Sequence, residues 1–434
     1  MENDRRDFLK VAGTAALTTS LFTGNVKGAN DKVRAGFIGM GKMGRANLII
    51  AMKQENLEVA SVCDVFERNL DWAVDLSRKQ PAGASAKPVK DFRDILADKS
   101  IDVVCIATPD HWHAYMTVEA CKAGKDVYVE KPVSVTIQES KLMVQAARKY
   151  NRVVQAGTMQ RSGEHFQKAT QIVKSGDLGQ VTAVHTWNYG TTPVEALGNP
   201  PDGTPPPTLD WDMWLGPAPK HEFNANRFGV DPKDKYFSSF RWFWDYAGGM
   251  MTDWGVHWLD IVQMAFDEQM PRSIAAMGEK FRLKDNRDTP DTLHVVYEYP
   301  GFIGTYENRE GNKQSMFKKP GGILFCGDLA TLYVDRSSYI LVSEKPDAEP
   351  IEVKSSNNSN MAHWANFLQC VKTREKPISD IEKCARSTST CLLGNVALRS
   401  KLRLDWDEQK WTVNQAEARK YLSREARPPW KIVV

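Results

Sequence analysis

The sequence predicts an α/β protein in two parts: an N-terminal doubly wound parallel sheet, then a C-terminal α+β domain with a large, mostly antiparallel sheet. Three observations predict it. Apolar strand-like runs alternate with helical patterns from Val33 to Tyr150, strand-like runs follow one another across short turns after Gly157, and 434 residues suit two domains better than one. Hydrophobic residues make up 42% and charged residues 26%, the balance of a folded globular chain. The net charge of +3 is small and its Lys and Arg residues are scattered, so no nucleic-acid footprint is present. No apolar run reaches the roughly 18 residues that span a bilayer, so no integral membrane domain is expected.

The chain opens with Arg5, Arg6 and Lys10 ahead of Val11–Phe22, a stretch rich in Ala, Thr and Gly, and Val26-Lys27-Gly28 offers small or apolar residues for cleavage. Arg5, Arg6, Phe8, Leu9 and Lys10 resemble a twin-arginine signal; an ordinary amphipathic helix is the alternative. Residues 1–30 are therefore expected to export the protein, already folded, to the periplasm or beyond. Seven cysteines form no CxxC pair and no ligand cluster, so free thiols are expected.

Residues 31–156 form the first expected domain. Strand Val33–Ile38 runs into Gly39-Met40-Gly41-Lys42-Met43-Gly44, and a helical pattern follows over Arg45–Met52. In that setting Gly39 permits a tight turn, Gly41 lets the backbone approach a pyrophosphate, and Gly44 lets the helix pack on the strand. Strand Leu57–Asp64 ends in a carboxylate, which accepts hydrogen bonds from the ribose hydroxyls of NAD and repels a 2′-phosphate. A Rossmann domain for NAD is thus expected, with neighbouring Arg68 the one feature that leans toward NADP. The alternation continues through helices Phe66–Lys79 and Asp91–Ala97, strand Val103–Ala107, helix His113–Ala123, strand Asp126–Val129 and helix Ile137–Tyr150. Ligands sit beyond the carboxyl ends of such strands. Thr108, Pro109, His113, Glu130 and Lys131 fall there, as further candidates for the cofactor.

Residues 157–430 form the second domain. Helix Glu164–Ser175 precedes strands Val181–Tyr189, Ser273–Leu283, Leu293–Tyr299, Ile303–Asn308, Gly322–Cys326, Thr331–Val334 and Ile340–Val342, and helices Met361–Lys372 and Ile381–Arg399 complete it. Gly198–Pro207 reads as a stiff insertion near the site. On Ala247–Phe266, Asp253 and His257 stand one helical turn apart, and Asp260 can join their face. A histidine beside a carboxylate suits a general base, since its pKa sits near working pH, although such pairs are more often structural. A metal site of His111, His113, His257 and Asp253 is a rival without a supporting ligand spacing.

The glycine pattern, Asp64, Ala107–His113, Glu130-Lys131-Pro132 and Gly248–Asp260 together resemble the Gfo/Idh/MocA oxidoreductases, the family of glucose-fructose oxidoreductase and inositol dehydrogenase, from Val33 to about Ser400. The resemblance places Lys131 between nicotinamide and substrate hydroxyl. It makes Asp253 and His257 the catalytic pair and sets Arg161 near the substrate. Family members carry Asn where this chain has Asp110. A carbohydrate or cyclitol substrate is implied, and a tryptophan cluster (Trp187, Trp211, Trp214, Trp242, Trp244, Trp254, Trp258) offers flat surfaces for sugar rings. A homo-oligomer built on the open face of the second sheet is implied too. An exported enzyme that released NADH would stop after one turnover, so a tightly held cofactor and a closed redox cycle are expected. Two alternatives stand. One is an NAD-dependent glycoside hydrolase or lyase working through a keto-sugar, although the Thr-His-Gly type of motif is missing. The other is a non-catalytic sugar-binding protein on the same fold.

Overall fold

The fold is described from a computed structural model, for residues 32–229, 238–314 and 318–434. The expected export signal, with Arg5 and Arg6, lies outside the described residues.

Strands β1 (Val33–Ile38), β2 (Leu57–Cys63), β3 (Lys87–Val89), β4 (Val103–Ile106), β5 (Asp126–Val129) and β6 (Val154–Ala156) form a parallel sheet in the order β3-β2-β1-β4-β5-β6. The order reverses between β1 and β4, which opens a crevice at their carboxyl ends. Val104, Ile106, Val127 and Val129 are buried because helices cover both faces of the sheet. Two helices start earlier than the sequence pattern suggests. The helix after β1 is Lys42–Ala51, so Gly44 sits in its first turn, and the helix after β4 is Asp110–Lys122, entered from Pro109. His113 is therefore a residue of the first turn and not the helix start. A fixed proline φ just ahead of the first turn suits helix initiation.

The second sheet runs through β7 (Val181–Tyr189), β8 (Ser273–Glu279), β9 (Thr292–Tyr299), β10 (Phe302–Arg309), β11 (Gly321–Gly327), β12 (Ala330–Val334), β13 (Ser338–Ser343), β14 (Ile351–Lys354), β15 (Leu404–Asp407) and β16 (Thr412–Val413). Their order is β14-β13-β12-β11-β7-β10-β9-β8-β15-β16, antiparallel except for the β7/β10 pair. One face packs on helices Glu164–Ser175, Gly255–Ala265 and Ile381–Ser400 around Trp258, Tyr297, Tyr306 and Phe325. Alternate residues such as Val296 and Ile303 point the other way and are exposed.

Helix Ser359–Thr373, expected to complete the second domain, instead packs on the first sheet. Its Trp364 stacks on Tyr128 with ring centroids 4.5 Å apart and donates its indole N–H to Asn47 at 2.9 Å. Helix Ile381–Ser400 joins the two cores: Ile381, Cys384 and Ala385 pack in the first, Leu393 and Val396 in the second.

Between β7 and the helix at Gly249 the chain forms an insertion with a small core of its own, built on Leu209, Trp214, Phe228, Phe243 and Tyr246. It lies against the end of β2. The Glu67 N–H donates to the Thr208 carbonyl at 3.1 Å, the Asp210 N–H donates to the Val65 carbonyl at 3.0 Å, and Phe66 meets Phe228 edge-on at 5.5 Å.

Candidate active site

A cleft of about 1180 Å³, open to solvent, lies between the carboxyl ends of the parallel strands and this insertion. Gly39, Gly41, Lys42, Met43, Asp64, Thr108, Pro109, His113, Glu130, Lys131 and Asp253 all line it. Two glycines shape its floor. Gly39 has φ +86°, and a Cβ on Gly44 would stand 1.8 Å from the Gly39 carbonyl oxygen, so only hydrogen fits there. Gly41 is the N-cap of helix Lys42–Ala51 and brings no capping side chain. The first N–H groups of that helix therefore face the cleft without a side-chain acceptor, which suits a pyrophosphate. Met40 departs from its expected role: its side chain is fully buried in the core, and only its backbone serves the loop.

Asp64 accepts the Met40 N–H at 2.7 Å and the Phe66 N–H at 2.8 Å. Burial pushes its pKa up to about 6, against the pull of those two N–H groups. The carboxylate thus holds the glycine loop to the end of β2 and still lines the cleft where a ribose hydroxyl can reach it. These residues fit a dinucleotide.

His113, expected at the cofactor, is committed to the backbone. Its Nδ1 lies 2.7 Å from the Pro132 carbonyl and its Nε2 2.9 Å from the Thr108 carbonyl. Burial lowers its pKa to about 4, so the ring is neutral and its single N–H donates to one of the two carbonyls, while it packs between the β4 loop and the Lys131-Pro132 turn. His111 is likewise used, with Nε2 3.0 Å from the Trp214 carbonyl, and among the described residues no group of three or more metal-ligating side chains forms. Glu130 accepts from Asn47 at 2.7 Å and from the Lys131 N–H at 3.2 Å, so it fixes the lysine backbone.

At the inner end of the cleft Lys131 Nζ donates to Asp253 Oδ1 at 2.7 Å and to the Asp253 carbonyl at 2.9 Å. Burial works against the Asp253 carboxylate, but the cations of Arg241 and Lys131 hold its pKa well below the usual range. Arg241 Nη2 stands 3.5 Å from the same Oδ1. A single-residue turn at Trp254 separates helices Gly249–Asp253 and Gly255–Ala265, but Trp254 keeps helical angles and the i→i−4 bonds to Met250 and from Trp258, so Asp253 and His257 stay one helical turn apart. Asp253 holds Lys131 rather than the imidazole, whose Nδ1 is buried without a partner. Burial first, then Lys131 and Arg336, push the His257 pKa well below its ordinary value, so the ring is neutral at working pH. His257 does not line the cofactor cleft but lies beside it, its ring 5.7 Å from that of Trp254.

Arg161 does not line the cleft. It is 1% exposed, donates to Asp260 Oδ2 at 2.8 Å and to Glu268 Oε1 at 2.6 Å, and serves as a buried brace. Asp260 also accepts from Ser387 Oγ at 2.6 Å, which takes it off the His257 face. Most of the tryptophans are structural as well: Trp211 stacks on Trp214 at 4.7 Å, and Trp242 lies under Arg287 at 4.5 Å. Of that cluster Trp214 alone lines the cleft. Sequence reasoning missed Arg241, Phe228 and Arg336, which arrive from an irregular insertion and a hairpin turn with no motif to mark them.

A dinucleotide cleft with a lysine–carboxylate pair at its inner end defines a nicotinamide-dependent oxidoreductase. Residues 33–158 match the oxidoreductase family with an NAD-binding Rossmann fold, and residues 165–432 match the α/β C-terminal domain of the same family. The chain belongs to the Gfo/Idh/MocA oxidoreductases. Among curated relatives it is 31% identical over 170 residues to an inositol 2-dehydrogenase of Salmonella typhimurium, covering 39% of this chain and 49% of that one. It is 30% identical over 202 residues to a glycosyl hydrolase family 109 protein of Shewanella baltica, covering 41% and 44%. The chain thus spans about half the length of the curated relatives it matches. An aldose-aldose oxidoreductase of Caulobacter crescentus shares the fold with TM-score 0.65 and 18% identity over 86% of this chain and 99% of that one. The WlbA dehydrogenase of Bordetella pertussis, solved with NADH, does so with TM-score 0.63 and 18% identity over 87% and 99%.

Proposed function

We propose that this protein moves hydride from or to a secondary alcohol carbon of a sugar, glycoside or cyclitol, on an NAD that it holds tightly. The observation that carries this reading is Lys131, fixed by two hydrogen bonds to Asp253 where the cofactor cleft meets the second domain. NAD, when bound, supplies the hydride acceptor. Lys131 and Asp253 bind and orient the reacting hydroxyl, and the ammonium steadies the negative charge that grows on its oxygen. His257 is the candidate to take the hydroxyl proton; its place beside the cleft rather than in its lining, and its lowered pKa, weigh against that role until the substrate brings the hydroxyl to it. The insertion against β2 covers one side of the cleft, which supports slow release of the cofactor and a closed redox cycle.

A second reading rests on Asp110. This carboxyl lines the cleft, and burial, aided by Asp253, pushes its pKa up to about 7 against the cations of Lys131 and Arg241. A glycoside hydrolase or lyase needs such an additional acid/base group and a simple dehydrogenase does not. The likeness to a glycosyl hydrolase family 109 protein leans the same way. A non-catalytic sugar-binding protein is the third reading, and the paired Lys131 and Asp253 argue against it. We also propose export by the twin-arginine route after folding, and assembly of copies through the open face of the second sheet.

The purified mature protein is incubated, without added NAD, with free sugars and glycosides, and products are read by mass spectrometry. Products over many turnovers support the carried cofactor, and a cleaved glycoside moves the protein to the hydrolase reading. Turnover only with added NAD, with NADH accumulating, removes the closed cycle. No turnover under either condition leaves the non-catalytic reading.

A further inference from the structure

The inner end of the cleft carries more positive than negative charge. Lys131, Arg241 and Asp253 line it, and Arg336 lies just outside that lining within electrostatic reach of Asp253; the other carboxyls there, Glu130 and Asp110, are buried with raised pKa values. Lys131 consumes the shortest contact that Asp253 offers, and Arg241 is left at 3.5 Å with its Nε buried and unpartnered. Arg336, in the turn between β12 and β13, has no carboxylate within ion-pair distance among the described residues. Its guanidinium lies over the Trp254 ring at 4.5 Å, and its Nε donates to the neutral Gln160 amide at 3.1 Å. Gln160 in turn donates to the His257 carbonyl at 2.9 Å, which fastens that arginine to the turn bearing the base. Asp110, half ionised near neutrality, balances only part of the surplus.

Partly desolvated guanidinium groups without a partner are costly unless a ligand supplies the counter-charge. A neutral sugar hydroxyl adds no counter-charge: Arg241 keeps only the 3.5 Å contact to an Asp253 already held by Lys131, and Arg336 only a neutral amide and a ring face. Oxidised nicotinamide, itself positive, adds to the imbalance. The planar fork of an arginine matches two oxygens of one anionic group. We propose that the substrate is an anionic sugar, its carboxylate or sulfate ester held by Arg241 and Arg336 while a secondary hydroxyl faces Lys131. This rests on the oxidoreductase reading above and adds the substrate's charge to it.

The full-length NAD-loaded protein is titrated by calorimetry with D-glucuronate, D-glucose 6-sulfate and D-glucose. At least one anionic sugar binds about tenfold or more tightly than D-glucose, as expected for charged hydrogen bonds in a partly dry site. Whichever of the two anions binds tells carboxylate from sulfate ester. Arg336→Ala and Arg241→Gln each remove most of that preference, Arg336→Lys keeps part of it, and NAD affinity reports that each variant is folded. Anionic sugars that bind no tighter than D-glucose, or a preference intact in both variants, overturn the proposal. Turnover of neutral glycosides with no anionic preference sinks this inference alone. Anionic binding without hydride transfer to NAD sinks the oxidoreductase reading alone.

Discussion

At the scale of single residues, Lys131 and Asp110 do separable work although they line the same cleft. Lys131→Ala deletes the cation proposed to steady the reacting oxygen, so kcat/KM for the sugar is expected to fall roughly 10²–10⁴-fold. NAD affinity, followed by fluorescence titration, is retained, because the glycine loop and Asp64 lie at the other end of the cleft. Equal losses in NAD binding and turnover would show that the lysine only props the cleft open. Asp110 is read through pH. Its folded pKa is raised from 3.8 to about 7, so the stability it contributes is complete below pH 3.8 and is lost as pH rises through about 7. The loss is on the order of 4 kcal/mol at most. Asp110→Asn cannot ionise, and its Tm relative to wild type therefore rises between pH 5 and pH 8. A constant difference across that range would mean that Asp110 is hydrated and ordinary. Little of this was visible in the sequence. Lys131 was, because a strand end and a following proline marked it, and Asp110 showed only as a departure from the family's Asn. Arg161 was misplaced, since a motif gives no hint that Asp260 and Glu268 close over it.

At the scale of elements, the proposed slow release of the cofactor rests on the insertion against β2. Phe228 is 5% exposed, packs edge-on to Phe66 and lines the cleft beside Val65 and Asp64. Phe228→Ala leaves a void in a small satellite core and frees the insertion to swing. The NAD dissociation rate rises about tenfold or more, the equivalent of ~1.4 kcal/mol lost from the closed state. A chase experiment on NAD-loaded protein measures it, and an unchanged rate removes the insertion from any role in retention. The alternating β and α runs of the first domain were readable because each element is long enough to show its period. β3 and β6 were not: each has three residues, fewer than one period-2 stretch needs. Periodicity also reveals an apolar stripe without naming what buries it, which is why the sequence placed the Trp364 helix in the second domain without showing that it packs on the first sheet. The one-residue turn at Trp254 left no trace in composition, since Trp254 keeps helical angles of φ −94° and ψ −34° and the helical path is hardly altered.

At the scale of the whole molecule, the second sheet has one face buried under helices and the other open. On the open face Met277 is 82% exposed, Val296 and Ile303 are each 45%, and Val342 is 41%. Register places them in adjoining rows: Met277 opposes His294, Val296 opposes Thr305, and Ile303 lies beside Ala183. Charged neighbours such as Glu298 and Glu307 interleave with this apolar surface, the mixture typical of an interface between subunits rather than of a core. A broad apolar sheet face left in water is an association hazard, and in the proposed assembly a second copy of the same face, related by a two-fold axis, would cover it with itself. Such a contact needs about 800 Å² from each partner, which a sheet of ten strands readily supplies. The double substitution Met277→Asp and Ile303→Asp sets like charges against each other across that axis while leaving the buried rows of the same strands, Ile274 and Tyr306 among them, untouched. Light scattering coupled to size exclusion reads the outcome: wild type elutes with the mass of two or more chains and the double variant with that of one, at an unchanged Tm of the single-chain fold. A wild type that is already a single chain removes the proposed assembly, and an assembly that survives both aspartates moves its contact to another face.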